Sequence, residues 1–256
     1  MKSRKTKHVV IVGGGIAGLS AAYYLSKDSK APIKITLLES ANYWGGKIVT
    51  DRTDDFVIEG GPDTFVVTKP WAVQLCEQLG IKERLRGTNP NTKNTFILHH
   101  DQLVPIPGGL TMMIPTEFGP MLRSRLLSWP AKMRMGLDFL ISPAARNGDE
   151  TLGAFVTRRL GRQAYEHLIE PLMSGIYAGD GDQLSLAATL PYLRDLEENH
   201  GGLVKGALAV RRERAKARVG KAAPGPRSIF LTPLTGLAEI VEALLADLEK
   251  SNVDLQ

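Results

Sequence analysis

Residues 8–25, HVVIVGGGIAGLSAAYYL, carry a short apolar strand pattern into three glycines and out again at helical spacing. A chain that stops an apolar run on Gly13, Gly15 and Gly18 is constrained to a strand, a tight turn and a helix packed back on the strand. In that arrangement Gly13 allows the turn and Gly15 lets backbone approach a pyrophosphate. Gly18 permits close helix–strand packing, and the free N–H groups at the helix start meet the negative charge. Residues 8–13 and 15–27 are the predicted strand and helix. The next strand, IKITLLE at 33–39, completes a βαβ unit and ends on Glu39, placed to accept a ribose hydroxyl.

Just beyond the acid, YWGGKIVT brings a second glycine pair, Gly45-Gly46, followed by Lys47 and later by EGGPDTF at 59–65. The pair can let another backbone segment approach the same dinucleotide, with Lys47 adding positive charge near phosphate. Runs 46–51 and 55–59 suggest a hairpin, and KPWAVQLCEQLGI a helix between Pro70 and Gly80. NTFILHHDQLVPIP is read as two strands about a His-Asp turn, and residues 122–196 as mostly helical, cut by Pro130, Pro143 and Gly161. Residues 228–256 are read as strand, turn, helix and the start of another strand. That last strand begins and stops, so the chain is expected to be the N-terminal portion of a longer one.

Composition narrows the function classes. Cys76 is the only cysteine and is read as a half-buried helix thiol, so no intrachain disulfide or Cys-rich metal site can form. The basic start MKSRKTK lacks a signal peptide's apolar core, and the charge-free run Leu103 to Thr116 is broken by three prolines. The net charge of +5 is local: residues 205–227 carry eight Lys or Arg against Glu213, leaving the rest near −2. No aromatic interleaves those bases, so a solvated helix and loop is expected there, and no nucleic-acid partner. His99-His100 has no metal partner at useful spacing and is read as part of a turn. No metalloprotease or serine-hydrolase motif occurs, so no metal site and no catalytic triad is expected. In AYEHLIEPLM, Tyr165, Leu168, Ile169 and Leu172 share one face, read as core, with Pro171 and Gly175 ending or bending the helix; Met112 and Met113 are read as gap-fillers.

In this order the glycine loop, Glu39, YWGGKIVT and IEGGPDTF resemble the FAD-dependent amine oxidase superfamily, and in particular its protoporphyrinogen/coproporphyrinogen oxidases. TLGAFVTRRLGRQAYEHLIEPLMSGIYAGDGDQLSLAATLP at 151–191 is similar to the stretch by which those enzymes are known, and LVPIPGG fits at its expected place. The central segments look most like the soluble bacterial branch, which tends to act on coproporphyrinogen III. The resemblance runs from Lys7 onward but spans only about the N-terminal half of a family member.

The fold it implies is α/β: a Rossmann-like FAD-binding domain with a mostly helical insert and part of a second, α+β substrate domain. The expected division is 7–95, FAD-binding; 96–228, substrate-binding and helical insert; and 229–256, a return to the FAD-binding domain. The implied FAD contacts are Gly13, Gly14, Gly15, Ile16, Ala17, Gly18, Glu39, Ser40, Lys47, Gly61, Pro62, Asp63 and Thr64. Lys47 stands where other branches often carry Arg, keeping the charge without the bidentate fork. Ser174, Gly175 and Tyr177 are expected beside the substrate cavity. Where the eukaryotic branch uses an arginine toward a propionate this chain has KNTF, so Lys93 takes the charge role beside Asn94 and Thr95. Arg123, Arg125, Lys132 and Arg134 are further candidates for substrate carboxylates.

The reaction implied is oxidation of a porphyrinogen to the porphyrin, with O2 reduced to H2O2 and no side-chain catalyst required, because the flavin carries the chemistry. A cytoplasmic location, at most peripheral contact with a membrane and transient contact with neighbouring haem-pathway enzymes go with it. Two rivals stand beside it: another superfamily oxidase, acting on amines or carotenoid precursors, and a non-catalytic flavin-binding fragment.

Overall fold

The computed structural model describes residues 6–29, 32–89, 91, 95–111, 113–144, 148–218, 228–251 and 253–256. Met1–Thr92 with Gly225–Gln256 form one compact unit and Lys93–Pro224 another. The first opens with β1 (Lys7–Val12), α1 (Ile16–Asp28) and β2 (Ile33–Leu38), and β1 pairs parallel to β2 in register from Lys7–Ile33 to Val12–Leu38. α1 forms because Leu19, Ala22 and Tyr23 recur at helical spacing and are all buried. A hairpin follows, β3 (Thr50–Arg52) and β4 (Val57–Glu59), then β5 (Phe65–Val66), α2 (Trp71–Gln78) and β6 (Leu85–Gly87). The hairpin strands are shorter than the sequence pattern suggests: a turn at Gly46 and Lys47 delays the first, and residues 53–56 form the hairpin turn, where the Thr53 N–H donates to the Phe56 carbonyl at 2.9 Å, so the second starts at Val57. Cys76 on α2 is wholly buried rather than half-buried, and burial pushes its thiol up to about 11.

The second unit begins with a hairpin, β7 (Phe96–His99) and β8 (Gln102–Pro105), turned by His100 and Asp101 at positive φ. A second small pair, β9 (Leu110–Thr111) and β10 (Ile114–Pro115), leads into helices. These are α3 (Phe118–Arg123), α4 (Trp129–Gly136), α5 (Leu152–Leu160), α6 (Arg162–Ala164), α7 (Glu170–Tyr177), α8 (Leu186–Thr189), α9 (Pro191–His200) and α10 (Leu203–Arg218). Ser128, Thr151 and Ser185 start three of them by accepting the N–H three residues on.

Between α6 and α7 the chain is wound as a π-helical turn, Tyr165–Ile169. Tyr165, Leu168 and Ile169 are core there, as expected. Pro171 does not end the helix: it lies in the first turn of α7, where a missing N–H costs nothing, and the helix runs past Gly175 to a left-handed Ala178. Met113 packs on the core of this unit. Met112 and residues 219–227 of the basic segment lie outside the described residues.

The chain returns to the first unit through β11 (Phe230–Pro233), which joins β5 and β6 in an antiparallel sheet, and α11 (Ala238–Lys250), whose Val241, Leu244 and Leu248 share the core with α1. The last strand, β12 (Asp254–Leu255), adds parallel to β2, so the order is β1-β2-β12. Among the described residues the other side of β1 is unpaired, and Val10 and Val12 are 50% and 84% exposed. No helix among the described residues is long and apolar enough to cross a membrane.

Candidate functional site: a glycine-stacked cradle

Three backbone segments of the first unit meet at the carboxyl end of β1, and glycine is what lets them meet. Gly13, at φ +104°, turns the chain, and its N–H donates to the Leu38 carbonyl at 2.7 Å. A Cβ on Gly18 would lie 1.9 Å from the Gly13 carbonyl oxygen, so the loop closes on the helix only without one. Gly45 donates its N–H to the Gly14 carbonyl at 2.9 Å and bridges Gly15 as a parallel partner. A Cβ on Gly46 would come within 3.1 Å of the Gly15 Cα. On the far side of that segment, a Cβ on Gly61 would be 1.9 Å from the Lys47 carbonyl oxygen. The second glycine pair therefore works first by stacking backbone on the glycine loop.

Glu39 follows β2 directly. Its Oε2 accepts the Gly14 N–H at 2.7 Å and its Oε1 the Ala41 N–H at 2.9 Å, with Ser40 Oγ a weaker donor at 3.4 Å. These bonds, Ala41's first and then Gly14's, hold the carboxyl below its ordinary value against the opposing effect of burial. The carboxylate is only half-buried, so acceptor capacity remains for a ligand hydroxyl.

Beside the loop lies a cavity of about 430 Å³, reached by Gly15, Ile16, Ala17, Lys47, Pro62 and Thr64 and floored by apolar side chains of β5, α2 and α11. The start of α1 has neither a side-chain cap nor an acidic residue in its first turn. A Cβ on Gly15 would meet nothing nearer than the Gly46 Cα at 3.9 Å, so this peptide is open to the cavity side. Uncapped N–H groups, bare glycine backbone and a nearby exposed lysine can receive a pyrophosphate; the Glu39 carboxylate can receive a sugar hydroxyl. The residues present thus fit a dinucleotide. Gly13, Gly14, Gly18, Glu39, Ser40, Gly61 and Asp63 shape or flank this cradle without lining the cavity. Trp44 was not anticipated, although an indole directly before the Gly45-Gly46 pair was there to be read.

In the second unit, Ser174 and Gly175 line a cavity of about 440 Å³ between α7 and residues 95–98 of β7 and its approach. Tyr177 does not line it; its hydroxyl donates to the Thr189 carbonyl at 3.1 Å. Lys93 and Asn94 lie outside the described residues. Two of the candidate carboxylate partners are occupied: Arg134 donates to the Arg158 and Arg159 carbonyls at the end of α5, and Lys132 to those of Leu122 and Ser124. Both act as helix-end caps, because a cation beside unpaired terminal carbonyls is stabilising. Sequence reading also missed that His167 of the π turn joins His99 and His100, with ring centroids 4.7 Å and 4.2 Å from His99.

Strand, glycine turn, helix and a carboxylate at the end of the neighbouring strand define an α/β protein built to receive a dinucleotide. Residues 16–256 match the family described as flavin containing amine oxidoreductase, and the chain belongs to that family, which implies a flavin cofactor. It is 39% identical over 250 residues to coproporphyrinogen III oxidase of Bacillus subtilis (strain 168), covering 96% of this chain and 52% of that one. It is 36% identical over 207 residues to the chloroplastic protoporphyrinogen oxidase 1 of Spinacia oleracea, covering 80% and 35%. The crystal structure named "Putative protoporphyrinogen oxidase" from Exiguobacterium sp. 255-15 superimposes with a TM-score of 0.82 at 38% identity, covering 99% of this chain and 53% of that one. Reduced UDP-galactopyranose mutase, at 16% identity and a TM-score of 0.57, is alike in fold alone. The expected α/β FAD-binding fold class is borne out. The chain spans about half the length, or less, of the curated relatives it matches.

Proposed function

We propose that this chain is an oxygen-dependent FAD oxidase of haem biosynthesis that acts on a porphyrinogen. Its substrate is coproporphyrinogen III or protoporphyrinogen IX, and the chain works in the cytoplasm with at most peripheral contact with a membrane. The observation that carries the reading is the glycine-stacked cradle with Glu39 beside it, in a chain 39% identical to a coproporphyrinogen III oxidase. In this reading the α1 N-terminus, Gly15 and Lys47 hold the pyrophosphate, Glu39 fixes a ribose, and Pro62 and Thr64 border the cofactor's path. FAD, when bound, supplies the dehydrogenation chemistry. The protein's own work is to orient the macrocycle and exclude water, and the unit-two cavity at Ser174 and Gly175 is the candidate wall for that. The overall conversion removes six electrons and six protons from the porphyrinogen and delivers them to three O2, giving three H2O2.

A second reading, a flavin-holding unit that needs further polypeptide for turnover, is favoured by one observation: the unpaired side of β1 with Val10 and Val12 exposed. One experiment separates the two. The purified chain is mixed with FAD, desalted and scanned in the visible region, then given coproporphyrinogen III in air while porphyrin fluorescence is followed. Retained flavin with porphyrin formation is expected for the first reading, and retained flavin alone for the second. A colourless chain would overturn both.

A further inference from the structure

Of the triplet only Gly13 needs glycine for its backbone conformation. Gly13 takes a positive φ and Gly15 faces the cavity, whereas Gly14 lies outside the left-handed region and is buried. What it lacks room for is a side chain. A Cβ there would lie 2.3 Å from Trp44 Cε3, 2.6 Å from Cζ3 and 3.1 Å from Glu39 Cβ. The Gly14 peptide is therefore held in a slot, with the indole on one side and the Glu39 stem on another. Its two polar groups are committed to the same neighbours: the N–H to Glu39 Oε2 at 2.7 Å, the carbonyl to the N–H of Gly45, next in chain to Trp44, at 2.9 Å. Trp44 is half-buried and packs on the core of its unit, so it is anchored from behind.

We propose that Trp44 is a positioning residue of the dinucleotide site: its indole fills the space left by the missing Gly14 side chain and holds the Gly14 N–H on the Glu39 carboxylate. The role of Glu39 toward a ribose rests on the FAD reading above; the Trp44–Gly14–Glu39 coupling does not. Removing the indole frees the Gly14 peptide, and Glu39 loses one of its two strong donors. Gly14 and Trp44 are then coupled in the strict sense, each substitution changing the cost of the other.

The test uses the whole chain with Trp44→Ala, Trp44→Phe, Gly14→Ala and the Gly14→Ala/Trp44→Ala double variant, checked for folding by circular dichroism. Trp44→Leu keeps apolar bulk for the core and serves where Trp44→Ala does not fold. Two quantities are read: the Kd for FAD, and the titration of the Glu39 side-chain carboxyl by carbon NMR without cofactor. Loss of the indole is expected to weaken FAD binding about tenfold. It should also move the Glu39 titration up toward the ordinary glutamate value, while Trp44→Phe keeps most of both. Gly14→Ala should cost affinity in the parent and markedly less where the indole is gone. An unmoved Glu39 titration, or an equal cost of Gly14→Ala in both backgrounds, overturns the proposal. A parent chain that binds no FAD would sink the cofactor reading alone, because the Glu39 titration still decides the role of Trp44.

Discussion

Two charged sites, one in each unit, are served in opposite ways. In the first, Glu39 is served by backbone N–H groups and left half-buried beside a cavity. In the second, Arg159 is wholly buried and closed on itself. Its guanidinium reaches Asp138 at 2.6 Å, Glu197 at 3.4 Å and the carbonyls of Asp138, Ile141 and Gly201, while Asp138 also accepts the Val204 N–H. Burial pushes the Asp138 carboxyl above its ordinary range. Glu197, also pushed up by burial, is carried below its own by the Arg158 hydrogen bond at 2.7 Å. A charge whose partners are all protein is structural; one left with acceptor capacity is available to a ligand. Strongly perturbed carboxyls therefore do not by themselves mark the site here.

The largest test of that contrast is Arg159→Met, which strands the buried Asp138 carboxylate without its cation and leaves Glu197 to Arg158 alone. It is expected to cost about 3–5 kcal/mol of unfolding free energy, read from urea denaturation. A loss within experimental scatter would show the network is not closed as described. Next comes a pair of glycines. Gly61→Ala drives a methyl into the Lys47 carbonyl and should cost about 1–3 kcal/mol. Gly15→Ala meets only open space, so its stability should stay within about 0.5 kcal/mol while FAD retention after desalting drops. Equal destabilisation by both would mean that Gly15 is packed rather than open.

Glu39→Gln should weaken FAD about tenfold and shift the urea curve at pH 7 slightly toward lower stability, since the amide offers one acceptor oxygen to the two N–H donors of Gly14 and Ala41 and loses the charge they stabilise; an unchanged FAD affinity would remove Glu39 from the site. The smallest effect is in the second unit. Burial, His100 and then His167 hold His99 below its ordinary value of 6.5. The unfolded chain therefore binds the proton first, and stability is lost as pH falls below 6.5 toward the folded value. His99→Gln should flatten that part of the pH–stability curve; an unchanged slope would assign it elsewhere.

Much of the first unit was legible. Its βαβ start is written in period and punctuation: a strand, glycines, an apolar helix face at Leu19, Ala22 and Tyr23, and a second strand ending on Glu39. Serine and threonine caps likewise mark helix starts in the second unit. What could not be read were contacts between segments far apart in sequence. Arg158 and Arg159 are adjacent and look alike, yet one is half-buried and the other wholly enclosed. Pro171 is read as ending or bending the helix because local rules do not reveal the π turn that makes it a first-turn residue.

By itself the sequence determined the class of turn, the helix that follows it and the acid at the end of β2, because all three rest on interactions within a few residues. Only the tertiary structure decided what Gly14, Gly46 and Gly61 are for. Gly14 and Gly61 are glycine because a particular atom from elsewhere in the chain, in Trp44 or Lys47, occupies the space of the missing side chain, and Gly46 combines a positive φ with the close approach of the Gly15 Cα. Such exclusions are set by packing, and packing is a property of the assembled chain rather than of any stretch of it.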